Sequence, residues 1–265
     1  VEPVESEPVE SVEPEELKDV ESESEEHEEL KDVESESESE EVSEEAGKDF
    51  APDPKAVFKL PDPKAVLWYS PVGFTALNDS IIAFVRETAM NDPTFIPSHP
   101  VNQHCKGNFD AGAIAYGAGF KYRSENWAET DIPDVFKKLL LLAHRFTNVH
   151  FDIILLKIYL DCSEKLSRHQ DVDGSDMTVA CVTFATDPSQ VRQLAFHGVK
   201  KNENGKWASA TSFAEFSPAI GSMWYMAGST NSEYSHSVRP AKDAVAGGMR
   251  VSVSLRLSAE QPRDQ

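Results

Sequence analysis

The stretch RVSVSLR, from Arg250 to Arg256, decides how the chain is read. In an extended segment successive side chains point to opposite faces. Arg250, Ser252, Ser254 and Arg256 then share one face, and Val251, Val253 and Leu255 the other. On a half-exposed strand the polar face meets water. In a barrel strand it points into the lumen, where two arginines are costly unless they meet anions. A small dicarboxylate satisfies them through bidentate hydrogen bonds. The strand alone leaves both readings open.

Upstream, short β-rich runs separated by Gly, Asp, Asn and Pro predict strands over Phe151–Tyr159, Met177–Ala185, Gln193–Gly198, Gly221–Met226 and Met249–Leu257. Helical spacing of Leu77, Ile81, Phe84 and Val85 predicts a helix over Phe74–Met90. A second helix is predicted over Asp131–Phe146, with Asp131 as its cap and Pro133 in its first turn. Asn102–Arg123, rich in Gly and aromatics, reads as strands and loops. Helices first and strands after suggest an α+β domain built on a sandwich or barrel.

Within this frame, His169-Gln170-Asp171 places a histidine and a carboxylate on the same side of an extended segment, able to share one metal ion. Such a pair needs a third ligand. His236 and His197 both qualify by type; His197 precedes a charged turn, Lys200–Lys206, which suits a surface role. Two histidines and one carboxylate form the facial triad of non-haem Fe(II) oxygenases.

An HxD, a distal His and a downstream RxxxxxR, in that order on β-rich sequence, resemble the AlkB family of Fe(II)/2-oxoglutarate dioxygenases. The stretch LLKIYLDCSEKLSRHQDVD resembles the family's approach to its HxD. YGAGFKYR, Tyr116 to Arg123, resembles its nucleotide-recognition lid. The likeness runs from about Trp68 to Leu257. It implies a double-stranded β-helix (jelly roll) core with N-terminal helices and a lid. It also implies Fe(II) held by His169, Asp171 and His236, with 2-oxoglutarate and O2 as co-substrates. Arg250 would hold the distal carboxylate of 2-oxoglutarate, Arg256 would lie near its other end, and Tyr159 would donate a hydrogen bond to it. Asp173, Tyr122 and Tyr116 would contact the substrate base. Phe109, Phe120 and Trp127 are further candidates for an aromatic platform under an unstacked base. Two positions depart from the family's pattern: Lys157 and Ser252 stand where it commonly has Asn, both beside the co-substrate. The implied activity is oxidative demethylation of N-alkylated bases in RNA or DNA. The alternatives are a dioxygenase acting on a protein side chain or small molecule, and a non-catalytic binding module.

Charge divides the chain. Its net charge is −21, yet residues 1–50 alone carry 23 acids against 3 lysines, so the rest is close to neutral. That tail repeats EELKDVESESE from Glu15 and from Glu28 and has one aromatic, Phe50, so it cannot bury enough apolar surface to order itself. Ser22, Ser24, Ser35 and Ser37 have the acidic context of kinase sites; binding to a basic partner and a purely solvated spacer are the other readings. PDPKAV recurs at Pro52 and Pro61 and reads as an extended linker over 51–67, ahead of a dioxygenase domain over 68–258 and a C-terminal tail over 259–265. A near-neutral body attracts phosphate only modestly, which favours single-stranded nucleic acid over long duplex.

Several classes are excluded or disfavoured. No apolar run reaches the length of a membrane span. Gly117-Ala118-Gly119 lacks the third glycine of a dinucleotide loop. Three scattered cysteines, Cys105, Cys162 and Cys181, form no disulfide framework and read as reduced thiols. The expectation is an intracellular monomer, cytoplasmic or nuclear, with no membrane partner; the Val1 start suits a segment processed from a larger, for example viral, polyprotein.

Overall fold

The computed structural model describes residues 56–71, 73–97, 99–100, 109–122, 125–160, 164–171, 178–198, 212–241 and 247–258. The acidic tail, the C-terminal tail, Asp173, Cys105 and Cys162 lie outside the described residues. In chain order the elements are β1 (Ala56–Val57), β2 (Ala65–Ser70), α1 (Asn78–Glu87), β3 (His99–Pro100), β4 (Phe109–Asp110), β5 (Gly112–Gly117), β6 (Phe120–Tyr122) and β7 (Glu125–Trp127). After them come α2 (Asp134–Thr147), β8 (Ile153–Tyr159), β9 (Leu166–His169), β10 (Val179–Ala185), β11 (Leu194–Gly198), β12 (Ser212–Phe216), β13 (Met223–Gly228), α3 (Thr230–Glu233), β14 (Tyr234–Val238) and β15 (Arg250–Arg256).

A seven-stranded sheet runs β1-β2-β13-β10-β15-β8-β5 and a four-stranded sheet runs β12-β11-β14-β9, with every pairing antiparallel. From β8 onward the chain passes repeatedly between the two sheets. Its pairs are nested: β8 with β15, β9 with β14, β10 with β13, β11 with β12. This is the wrapping of a jelly roll, in which two sheets enclose a lumen.

The alternation expected of Arg250–Arg256 is present, and it is the lumen reading that holds, because all seven residues are buried. Val251, Val253 and Leu255 join Ile154, Leu156 and Ile158 of β8 in a core that also takes Ile81 and Val85 of α1 and Phe136, Leu139 and Ala143 of α2. The helices therefore cover the outer face of the large sheet. Its inner face meets the small sheet through Cys181, Trp224, Met226, Leu194, Phe196 and Val238.

Helix α1 falls within the predicted span, but α2 starts three residues later than expected. Pro133, with ψ 142°, is the cap residue and lies outside the first turn, and Asp131 caps nothing. The acid that serves the first turn is Asp134, ion-paired with Lys137 at 2.6 Å. Asn148, at φ 56°, closes the helix in the left-handed conformation.

The linker expected over 51–67 ends early. The Ala-Val of each PDPKAV copy enters a strand, and β2 pairs along β13 as part of the large sheet. Phe58, between the copies, stacks on Phe216 of the small sheet at 5.0 Å. Gly117 ends β5 at φ 96°, and a Cβ there would collide with the Asp152 carbonyl. Steric demand thus accounts for that glycine.

Candidate metal centre

The ladder between β9 and β14 sets His169 directly opposite His236, and a register shift follows immediately after. The two rings lie 4.3 Å apart. Two residues past His169, Asp171 folds back over both. Its Oδ1 is 3.7 Å from His169 Nε2 and its Oδ2 is 3.9 Å from His236 Nε2. One ligand atom from each of the three lies within 4.8 Å of the others, close enough to converge on one cation.

The donor set suits a metal. His169 Nδ1 lies 2.8 Å from the Ser167 carbonyl, which fixes the ring with Nε2 turned toward Asp171. Burial and the neighbouring His169 push the His236 imidazole down to about 3, leaving it neutral near pH 7. Burial works to raise the Asp171 carboxyl, but the Arg256 guanidinium at 3.0 Å and the neighbouring His169 and His236 together outweigh it and hold the group well below the usual range. Two imidazoles and one carboxylate, with Asp171 and His236 buried and His169 half-buried, fit a non-haem Fe(II) ion.

An amide holds this cluster in place. Asn231, buried in α3, accepts from the Asp171 backbone N–H at 2.9 Å and donates to the Asp171 carbonyl at 2.8 Å. Gln170 donates to the carbonyls of Asn231 and Ser232, each at 2.8 Å. The HxD segment is thereby bound to the residues that lead into β14 and His236. Nothing in the sequence pattern marks Asn231, because its partner lies 60 residues away.

The same cavity is lined by Tyr159, Arg250, Ser252 and Arg256, so all seven residues expected at the metal and co-substrate meet there. Arg250 is 1% exposed, donates from Nη2 to Thr183 Oγ1 at 3.4 Å, and has no hydrogen-bond partner at Nε or Nη1 among the described residues. An unsatisfied buried guanidinium points to an anion. Two cations lie against the ring of Tyr159, Arg250 at 4.9 Å and Arg192 at 4.7 Å from its centroid. Burial raises the phenol's pKa, and those two guanidiniums oppose the rise. Ser252 Oγ is 2.9 Å from the buried thiol of Cys181. Arg192 is bonded to the Glu164 carbonyl, and its local sequence, Ser189-Gln190-Val191-Arg192-Gln193, gives no sign that it is buried. Phe196 and Trp224 shield the His236 ring at 5.5 and 6.1 Å.

Tyr116 does not reach this cavity. It faces the helices, its ring 5.9 Å from Phe84 and 6.2 Å from Phe136, and its hydroxyl is buried with no partner among the described residues. The expectation that it contacts substrate is corrected: alternation along β5 puts it on the outer face, opposite Ile154. Tyr122 lies on β6, which pairs antiparallel with β7; its side chain and that of Phe120 fall outside the described residues, as does Asp173. Trp127 of β7 is buried against Ala113, Ala115, Ile153 and Leu155, on the inner face of the large sheet, and donates to the Thr94 carbonyl at 3.3 Å. His197, the rival third ligand, lies on β11 opposite Ser235, with Nε2 3.4 Å from Ser237 Oγ. It is not part of the cluster.

No family model matches the chain. No curated protein matches it either. Solved structures do. One similar chain is a Pseudomonas putida prolyl-4-hydroxylase, at TM-score 0.41 and 12% identity, covering 72% of this chain and 91% of that one. Another is SnoN, a non-haem α-ketoglutarate-dependent epimerase from nogalamycin biosynthesis, at TM-score 0.43 and 10% identity, covering 73% of this chain and 78% of that one. At these values neither likeness carries an argument about reaction or substrate, which rest on this chain's own residues.

Proposed function

We propose that the chain is an Fe(II)/2-oxoglutarate-dependent dioxygenase that demethylates N-alkylated bases in single-stranded nucleic acid. The observation that carries the oxygenase reading is one cavity holding both the His169–Asp171–His236 cluster and the Arg250 guanidinium, whose Nε and Nη1 have no hydrogen-bond partner among the described residues. Fe(II) bound at the cluster, with 2-oxoglutarate and O2, supplies oxidation of a C–H bond, with succinate and CO2 as co-products.

The protein's part is positioning and exclusion of water. Asp171 and the two imidazoles hold the ion. Asn231 keeps the Asp171 backbone from shifting. Arg250, braced on Tyr159, takes the carboxylate remote from the metal. Leu194, Trp224 and Val238 form an apolar wall that keeps the cavity dry. Arg256 balances Asp171 when the ion is absent.

The nucleic-acid reading rests on the sequence resemblance, with Asp173 and Tyr122 as the residues reading the base. A second reading, oxidation of a protein side chain or small molecule, gains from the position of Tyr116: its loss to the core removes one aromatic platform from the mouth. Formaldehyde release from oligonucleotides carrying 1-methyladenine or 3-methylcytosine, assayed beside a peptide panel, separates the two. Turnover of an oligonucleotide supports the first, and oxidation of a peptide alone replaces it with the second.

A further inference from the structure

The second copy of PDPKAV, residues 61–66, is more than a lead into β2. It runs along the turn from Gly228 to Tyr234, which carries α3 and opens β14. Asp62 accepts from the Ser229 hydroxyl, and from the Lys64 backbone N–H at 3.0 Å. Its own N–H donates to the Tyr234 hydroxyl at 3.1 Å. The Ser229 N–H donates to the Lys64 carbonyl at 3.3 Å. The Val66 N–H donates to Thr230 Oγ1 at 2.8 Å. That hydroxyl lies 2.8 Å from the Val66 carbonyl and 2.7 Å from the Ala227 carbonyl. Gly228, at φ 57°, permits the close approach, because a Cβ there would lie 2.2 Å from the Lys64 carbonyl oxygen.

These bonds converge on an element that cannot place itself. A helix of four residues, Thr230–Glu233, has no stability of its own, so its position is set by what grips it. From one side residues 62–66 hold Ser229, Thr230 and Tyr234. From the other, Asn231 bonds both the N–H and the carbonyl of Asp171, and Gln170 donates to the carbonyls of Asn231 and Ser232. Thr230 and Asn231 are adjacent and both buried, one bonded to β2 and the next to a metal ligand. Tyr234 stands two residues before His236 on β14.

We infer that residues 61–66 are a positioning strap for the metal centre: Asp62 and the backbone of Val66 fix α3, and α3 fixes Asp171 through Asn231. The inference rests on the metal-centre reading and deepens it. Asp62 and Thr230 line no part of the cavity and act only through the residues they hold. A shift of α3 passes directly to Asp171, because a single amide grips its backbone at both ends. The repeated hexapeptide thereby has a role that its composition does not suggest.

The test uses the full chain with Co(II), kept free of oxygen. Titration reads the affinity, and the visible spectrum of the bound ion reads the ligand geometry. Asp62→Ala and Thr230→Val are each expected to lower Co(II) affinity about three- to tenfold, below the roughly 10- to 100-fold of a residue bonded directly to a ligand. Both should also alter the spectrum. Asp62→Asn keeps wild-type affinity, since an amide accepts from the Lys64 N–H and donates to the Ser229 hydroxyl. Ile82→Ala opens the core on the helix side and should lower the thermal midpoint while leaving affinity and spectrum unchanged. In an Asn231→Ala background, Thr230→Val should add little further loss, because the link it acts through is already gone. Unchanged affinity and spectrum in both Asp62→Ala and Thr230→Val overturn the inference. So does an equal loss in Ile82→Ala, which would make the effect a general consequence of lower stability. So does an undiminished effect of Thr230→Val in the Asn231→Ala background. Failure of the wild-type protein to bind Co(II) removes the metal-centre reading itself, a result distinct from these.

Discussion

Toward the helices, β8 and β15 present Ile154, Leu156, Ile158, Val251, Val253 and Leu255; toward the small sheet they present Lys157, Tyr159, Arg250, Ser252, Ser254 and Arg256. Both sets are buried. The outer set is closed apolar packing, which removes hydrocarbon from water and stabilises the domain. The inner set places cations, hydroxyls and a phenol in a lumen, where they weaken the fold unless a ligand meets them. Alternation on these strands reports what each face touches, and both faces are buried.

The largest break in this comparison comes from the cluster itself. His169→Ala is expected to abolish stoichiometric Fe(II) or Mn(II) binding and all succinate formation while leaving the circular dichroism unchanged. Succinate formation that persists in this variant would show the metal assignment to be wrong.

A pair of substitutions on one strand separates the faces. Leu255→Ala, at a fully buried outer position, should cost about 2–5 kcal/mol in urea unfolding and leave co-substrate affinity intact. Arg250→Met should leave stability unchanged or raised, because it removes a poorly satisfied buried cation. Its 2-oxoglutarate affinity should fall by roughly 2–5 kcal/mol. Equal loss of stability in both variants would erase the distinction between core face and site face.

Asn231→Ala is expected to lower metal affinity about 10- to 100-fold, the usual scale for an outer partner of a metal site. Metal titration with a fluorescent competitor reads it. No change would mean that the bonds to the Asp171 backbone do not position the carboxylate.

The pH dependence is smaller. His236 is held to about 3 by burial in the folded protein. Unfolded, it titrates near its ordinary value, so the unfolded state binds the extra proton first. Stability from this group is complete above about pH 6.5 and is lost as pH falls towards 3. Between pH 7 and 5 the metal-free protein should lose roughly 2 kcal/mol from this source. The depressed Asp171 carboxyl works in the same direction at lower pH. His236→Gln should flatten the dependence in urea unfolding at the two pH values; an equally steep fall in that variant would assign it to other groups.

Strands with apolar alternation were legible in the sequence, and those that carry the metal ligands were less so. Strand β14 reads Tyr-Ser-His-Ser-Val, and β9 reads Leu-Ser-Arg-His. Their positions are filled by residues that serve the site or bond across the sheet, such as Ser235, which accepts from Arg168 at 2.6 Å. Period-2 hydrophobicity is weak there because each strand is short and polar on a buried face. The late start of α2 was hidden for a local reason: whether Pro133 caps the helix or sits in its first turn depends on ψ, which residue type alone does not decide.

By itself the sequence determined the separation of an acidic tail from a near-neutral body, the alternation of β15, and the donor types His169, Asp171 and His236, since each follows from residue identity and local spacing. Only the tertiary structure decided that the polar face of β15 lines a lumen, that Tyr116 belongs to the core, that Asn231 bonds the Asp171 backbone and that Arg192 packs over Tyr159. Those outcomes depend on which strand lies opposite which. Pairings such as His169 with His236, across 67 residues of chain, are settled by the packing of two sheets and not by any local preference.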